Sequence, residues 1–237
     1  MQANSPEETS HSINAWSRIY SSGEKRRDVY PDQNFIRALY YMFKEHWTSG
    51  KDTKVLDIGF GKAYILAYLG QLGFELHGTE VSKESIDIGN QTLSAMDLKA
   101  DLRLTGDKLE YPENYFDFVV CWETLHFFGN PDSVRKILGE INRVLKPGAG
   151  LLSSLIMPNN TQIECSRKID ENVFEVTDEW KYDSRVGSRI FCIPKKEDLK
   201  LFIEEIFTDA QIGSFGSEFP NGWGNWHYAF GCNKKLT

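Results

Sequence analysis

The stretch Val55-Leu56-Asp57-Ile58-Gly59-Phe60-Gly61 sets an apolar run, an acid and two glycines in the order of a strand that enters a ligand-facing turn. Twenty-three positions after Asp57, a second apolar run, Phe74-Glu75-Leu76-His77-Gly78-Thr79-Glu80, ends in another acid. In a βαβ unit a carboxylate at that second strand end can accept both hydroxyls of a ribose. A tight turn alone requires no acid at either strand end. Asp57, Gly59, Gly61 and Glu80 together therefore imply a nucleoside-containing cofactor. Read alone, Glu80 would also suit an exposed helix start, because Val81-Ser82-Lys83-Glu84 has the form of an N-cap followed by a helix. A dinucleotide site calls for a third glycine where this chain has Tyr64, since the pyrophosphate must sit on a helix that packs close to the strand. The bulk of Tyr64 counts against a pyrophosphate.

Outward from this stretch the chain alternates. Strands are expected at 54–58, 74–80, 101–105, 116–122 and 150–156, and helices at 62–72, 83–94 and 132–145, which argues for a parallel sheet with helices on both faces. After Met157-Pro158 the rhythm breaks over residues 157–193, a segment holding Asn159-Asn160, Trp180, Tyr182, Arg185, Gly187 and Arg189. A loop this long inside a compact domain is usually functional. A helix at 196–207 and closing strands at 211–216 and 226–232 follow. Upstream, residues 1–12 read as a disordered polar tail, and a helix at 33–47 sets Phe35, Ile36, Leu39, Tyr40 and Phe43 on one stripe.

The pattern Val-Leu-Asp-x-Gly-x-Gly resembles the first motif of class I S-adenosylmethionine (SAM) dependent methyltransferases, with Ala63 where that family often has a third glycine. Three further stretches resemble the same family in order. They are Leu104 to Asp117, the strand Phe116 to Trp122 ending in Glu123-Thr124-Leu125-His126, and Ile141-Asn142-Arg143-Val144-Leu145-Lys146-Pro147-Gly148. The resemblance covers about residues 54–156. It implies a Rossmann-like, doubly wound, mostly parallel seven-stranded sheet with an antiparallel closing strand. It also implies SAM as cofactor and S-adenosylhomocysteine as product. The cofactor residues it suggests are Asp57, Gly59, Phe60, Gly61, Glu80, Val81, Lys108, Cys121 and Trp122. The adenine-facing position falls either on Thr105 or, with a small shift, on Asp107. Residues 1–50 are expected to form a tail and helical lid, and residues 51–237 a methyltransferase domain carrying an acceptor-binding insertion at 157–193. Trp16-x-x-x-Tyr20 followed by Tyr30-Pro31 is similar to methyltransferases of bacterial surface-polysaccharide assembly.

Methyl transfer from a sulfonium chiefly needs alignment and exclusion of water, and a base only when the acceptor holds its proton tightly. His126, just past the fourth strand, and Glu123 beside it are the candidate catalytic residues. Each also suits packing or capping. Arg185 and Arg189 have the type and spacing to grip a phosphate or carboxylate, while His227, Tyr20 and Tyr30 could face the acceptor. A solvated loop and ordinary packing are the competing readings.

Composition narrows the partners. Twenty-seven Lys and Arg against thirty-four Asp and Glu give a net charge of -7, a poor match to nucleic acid, which selects a positive surface. No run of about 20 apolar residues is present to span a bilayer, and Cys121, Cys165, Cys192 and Cys232 lie far apart, so a reduced cytoplasmic protein is expected. His11, His46, His77, His126 and His227 form no ligand cluster, so no metal is expected. The function expected is transfer of a methyl group to an oxygen or nitrogen of a small polar acceptor, sugar-like or phosphorylated. The alternatives are an NAD-linked oxidoreductase and a non-catalytic SAM-binding module.

Overall fold

The computed structural model describes residues 31–43, 52–106, 108–177, 185–218, 220 and 224–235. Tyr20, Tyr30, Trp16 and Asp107, and the stretch 178–184 with Trp180 and Tyr182, lie outside these residues.

Near-continuous apolar runs build a sheet whose central strands are buried on both faces. Its strands are β1 (Lys54–Ile58), β2 (Glu75–Glu80), β3 (Ala100–Leu104), β4 (Phe116–Cys121), β5 (Leu145–Ile156), β9 (Thr208–Glu218) and β10 (Gly224–Asn233). They lie in the order β3-β2-β1-β4-β5-β10-β9. β1 pairs in parallel with β2 and β4, β2 with β3, and β4 with β5, whereas β10 runs antiparallel to both β5 and β9. This is the expected mostly parallel sheet with one antiparallel closing strand. The order reverses at β1 and β4, so the carboxyl ends of those strands frame the crevice where open α/β sheets bind ligands.

Because side chains alternate along a strand, Leu56 and Ile58 pack with one core and Val55 with the other. The first core is covered by α4 (Pro131–Val144) and α6 (Lys196–Glu204), and the second by α1 (Gln33–Phe43), α2 (Tyr64–Gln71) and α3 (Lys83–Ser94). In α4 the residues Val134, Ile137, Leu138, Ile141 and Val144 recur at helical spacing and are all buried. Pro131 starts that helix, and the Asn130 side chain caps it by accepting from the Ser133 N–H at 2.9 Å. Leu138→Ala is expected to cost about 2–5 kcal/mol, read as a lower denaturant midpoint, because Leu138 is fully buried between rigid layers.

Three expectations need correction. Tyr40 is not on the buried stripe of α1, being 57% exposed, and Ala38 takes its place beside Phe35, Leu39 and Phe43. β5 begins at Leu145 rather than 150, since Leu145 pairs with Phe116. The register then shifts through the segment holding Pro147, which has no N–H to donate, and Gly148, at φ 76°, and resumes at Gly150 opposite Phe118. The 157–193 segment is not structureless. It holds the short helix α5 (Thr161–Glu164) and an antiparallel three-stranded sheet of β6 (Ser166–Asp170), β7 (Val173–Val176) and β8 (Arg189–Phe191). Its apolar residues, with Val176, Ile190 and Cys192 among them, gather on Ile156 at the end of β5 and on Phe127. Asn160 fastens the insertion to β10, donating from Nδ2 to Asn225 Oδ1 at 3.1 Å and to the Trp226 carbonyl at 3.2 Å. Among the described residues no helix is long and apolar enough to cross a membrane.

Candidate active site

The turn after β1 is left-handed at three places, Gly59 (φ 72°), Gly61 (φ 57°) and Ala63 (φ 62°). Gly59 extends the β1–β2 ladder by donating to the Thr79 carbonyl at 2.8 Å. A Cβ at Gly59 would stand 2.3 Å from Thr124 Cγ2, so glycine is required by packing as well as by φ. Ala63 holds its conformation by donating to the Phe60 carbonyl at 2.8 Å and is fully buried ahead of α2. The family's third glycine is thus replaced by an alanine that accepts the same left-handed backbone. Phe60, also buried, turns into the second core rather than toward the crevice.

Two acids meet at the carboxyl ends of β1 and β2. Glu80 is 6% exposed, which excludes the exposed helix-start reading, although Ser82 does cap α3 by accepting from the Ser85 N–H at 3.4 Å. The Glu80 carboxylate accepts from the Gly61 N–H at 3.0 Å and the Val81 N–H at 2.8 Å, locking the turn to the second strand. Burial raises its pKa, and the Val81, Gly61 and Ser82 amides oppose that rise. Asp57 is 1% exposed, and its Oδ2 has no hydrogen-bond partner. Burial, and then the neighbouring Glu80 charge, push its pKa up to about 8. Glu80 has amide donors that oppose its rise, whereas the bare oxygen of Asp57 has none. A buried carboxyl with one bare oxygen fits a ligand ammonium, which would supply the missing partner and restore the charge.

The end of β4 builds the other wall. Cys121 is buried with its thiol pKa raised by burial first and Asp57 second, so it stays protonated, and its carbonyl accepts from Ser153 Oγ at 2.7 Å. Trp122 is held from three sides. Its Nε1 donates to Asp32 Oδ2 at 3.4 Å, Phe35 meets its ring edge-on at 5.6 Å, and Phe215 stacks on it at 4.9 Å. Glu123 has φ 51°, an uncommon conformation for a non-glycine residue, kept by its N–H donating to Ser154 Oγ at 2.7 Å. Its side chain is 40% exposed, with Oε1 3.8 Å from His227 Nδ1. Lys108 is exposed.

His126 lies on a short 3-10 turn (Leu125–Phe128), and β10 brings His227 to it, with the rings 5.6 Å apart. Both are buried, and neither Nδ1 has a hydrogen-bond partner. Burial, then the His227 and Arg185 charges, hold the His126 pKa far below the ordinary imidazole range. Burial followed by Arg185 pushes His227 down to about 3. Both imidazoles are therefore neutral at pH 7, each with one N–H donor and one acceptor nitrogen, and are weak bases. Arg185 reaches this region over the Phe127 ring at 5.8 Å, whereas Arg189 sits in the small sheet opposite Glu175. The two arginines thus occupy different settings. Sequence reasoning missed Thr124, whose Oγ1 donates to the Gly59 carbonyl at 3.3 Å, as well as Asp32, Ser154 and Phe215. Asp32 had a signal, since its Oδ1 accepts from the Asn34 N–H at 3.0 Å in an N-cap arrangement. Phe215 had none, because its position follows from pairing with His227 across the closing hairpin.

Residues 56–153 match a methyltransferase domain family. The chain is 26% identical over 150 residues to ribosomal RNA small subunit methyltransferase C of Alcanivorax borkumensis, covering 59% of this chain and 45% of that protein. It is 27% identical over 150 residues to demethylmenaquinone methyltransferase of Bacillus mycoides, covering 57% and 60%. The aligned parts thus span about half the length of these curated relatives. In three dimensions it is similar to a SAM-dependent methyltransferase of Methanosarcina mazei, with a TM-score of 0.66 at 20% identity, covering 89% of this chain and 100% of that one. Residues 56–153 thus match a methyltransferase domain, and motif order and sheet order support the class I SAM-dependent methyltransferase fold for it.

Proposed function

We propose that this chain transfers a methyl group from SAM to an oxygen or nitrogen of a small-molecule acceptor in the cytoplasm. The observation that carries the reading is the pair of buried acids at adjacent strand ends, Glu80 clasped by turn amides and Asp57 with a bare oxygen. SAM supplies a methyl group already activated on a sulfonium. On this reading Asp57 takes the ligand's ammonium, Glu80 its ribose hydroxyls, and Trp122 with Val81 walls the adenosyl part. Thr105 or Asp107, with Lys108, flanks the base. Glu123, His126 and His227 face the acceptor side, where the insertion at 157–193 and the segment 1–50 close the pocket against water.

The names of the relatives span ribosomal RNA and demethylmenaquinone, so they favour no single acceptor. A net charge of -7 supports a small molecule over nucleic acid. Cysteines that are free thiols, three of them buried, support a reducing compartment. Incubation with methyl-labelled SAM and fractionated cell extract should yield a labelled small molecule, identified by mass. Label found only in RNA or protein would overturn the acceptor class. Glu80→Ala is expected to weaken SAM binding by about 1–3 kcal/mol, the scale of lost charged hydrogen bonds, measured by calorimetry. Unchanged affinity would remove the ribose role.

A further inference from the structure

The acceptor side of the crevice is a run of rings that ends in two bare nitrogens. Phe35 meets Trp122, Trp122 stacks on Phe215 with 12° between planes, and Phe215 stacks on His227 at 5.3 Å with 15° between planes. His227 faces His126, and His126 lies 4.2 Å from Phe127, over which Arg185 is placed. Phe35, Trp122, His126 and His227 are buried, while Phe215 and Phe127 are partly exposed, so the run opens at those two rings. At its end the Nδ1 atoms of His126 and His227 are buried without hydrogen-bond partners. A buried, unpartnered imidazole nitrogen costs free energy unless a ligand pairs with it, a phenol donating to one tautomer and a phenolate accepting from the N–H of the other.

We infer that the acceptor is a flat, conjugated molecule bearing an acidic hydroxyl, a phenol or an enol, whose hydroxyl lies between His126 and His227 with its oxygen facing Arg185. This rests on the methyl-transfer reading and names its substrate class. The wall offers extended ring surface and few polar partners, which suits a planar body and would leave most hydroxyls of a sugar unpaired. The electrostatics agree. Arg185 disfavours a proton on either imidazole, and the same positive field favours an anion placed beside them. Imidazoles so weakly basic cannot remove a proton from an aliphatic hydroxyl, which holds it about as tightly as water does. A phenol, near pKa ~10 like tyrosine, can instead ionise in place and lose its proton to solvent. Among the described residues, the groups facing this position are His126 from the 3-10 turn, His227 from β10, Glu123 from the end of β4 and Arg185 from the segment before β8. Glu123 opposes the arginine, and its exposure lets solvent screen it.

The test uses 4-nitrophenol, whose anion absorbs visibly, with S-adenosylhomocysteine present. Its methyl ether 4-nitroanisole and methyl glucoside serve as competitors. The bound phenol should ionise at a pH lower by about one unit or more than free in solution, as expected for a cation within reach. Arg185→Met should abolish that shift. His227→Phe, which keeps the stack on Phe215, should weaken nitrophenol binding about tenfold, the scale of one lost hydrogen bond, without changing S-adenosylhomocysteine affinity. No nitrophenol binding, an unshifted midpoint, equal binding of the ether, or tighter binding of methyl glucoside would each overturn the inference. Calorimetry with S-adenosylhomocysteine on the same preparations separates the two levels. If that ligand binds and nitrophenol fails, only the acceptor class is wrong, and if neither binds, the methyl-transfer reading falls as well.

Discussion

Asp57→Asn is expected to stabilise the ligand-free protein at pH 8 while weakening its hold on SAM. Unfolded, an aspartate ionises near pH ~4. Buried beside Glu80, Asp57 keeps its proton up to about 8. Between those values the folded state binds the extra proton, so stability falls as pH rises from about 4 to 8 and stays low above that. Below both values the group contributes nothing. The full span corresponds to a cost on the order of 5–6 kcal/mol at alkaline pH. Asparagine cannot ionise and removes the slope. Melting curves of the two proteins should therefore diverge with rising pH and converge near pH 4. A difference independent of pH would show that Asp57 titrates normally. If Asp57 receives the ligand's ammonium, SAM should bind wild type more tightly as pH rises toward 8, with a proton released on binding. The variant should lose about 10–100-fold in affinity and release no proton, the scale of one charge-assisted hydrogen bond. Calorimetry in buffers of different ionisation enthalpy reads both quantities.

Gly59→Ala should be the most damaging single methyl in the site. Its Cβ would stand 2.3 Å from Thr124 Cγ2 and 2.6 Å from Thr124 Oγ1, and the backbone would be left-handed at φ 72°. The conformation costs about 1–2 kcal/mol for an L-residue, and forcing the contact about 1–3 more. A loss of about 2–5 kcal/mol in urea unfolding is expected. Thr124→Ala in the same chain should return the steric share and leave the conformational one. If the double variant were no more stable than Gly59→Ala alone, Thr124 would not be the obstacle.

The first motif was legible because its chemistry is local. A strand, two glycines and two acids at fixed spacing fix a turn and a charge pair wherever the rest of the chain goes, and Glu80 stands buried on the amides that this spacing offers. The helix expected at 132–145, here α4, was legible for the same reason, since helical periodicity is a local signal. Tyr40 shows the limit. A helical stripe says which residues share a face but not how wide the buried part is, and in α1 Ala38 fits against the sheet while Tyr40 does not. The small sheet of β6 to β8 was missed because β6 is mostly exposed and polar, Ser166-Arg167-Lys168-Ile169-Asp170, and carries little alternation. The acceptor wall was illegible for a deeper reason. Phe127 and His126 come from the 3-10 turn, Phe215 from β9 and His227 from β10, far from that turn in sequence, and the closing hairpin sets them face to face.

That closing strand also orders events in the life of the chain. β10 slots between β5 and β9, so a polypeptide cut after β9 would leave two raw edges in mid-sheet, both open to pairing with another molecule. On a ribosome, β1 to β5 can assemble early, while His227 meets His126 only with the final insertion. On the proposed methyl-transfer reading, unfinished copies hold the donor yet lack half of what grips the acceptor, so the topology reserves catalysis for completed molecules.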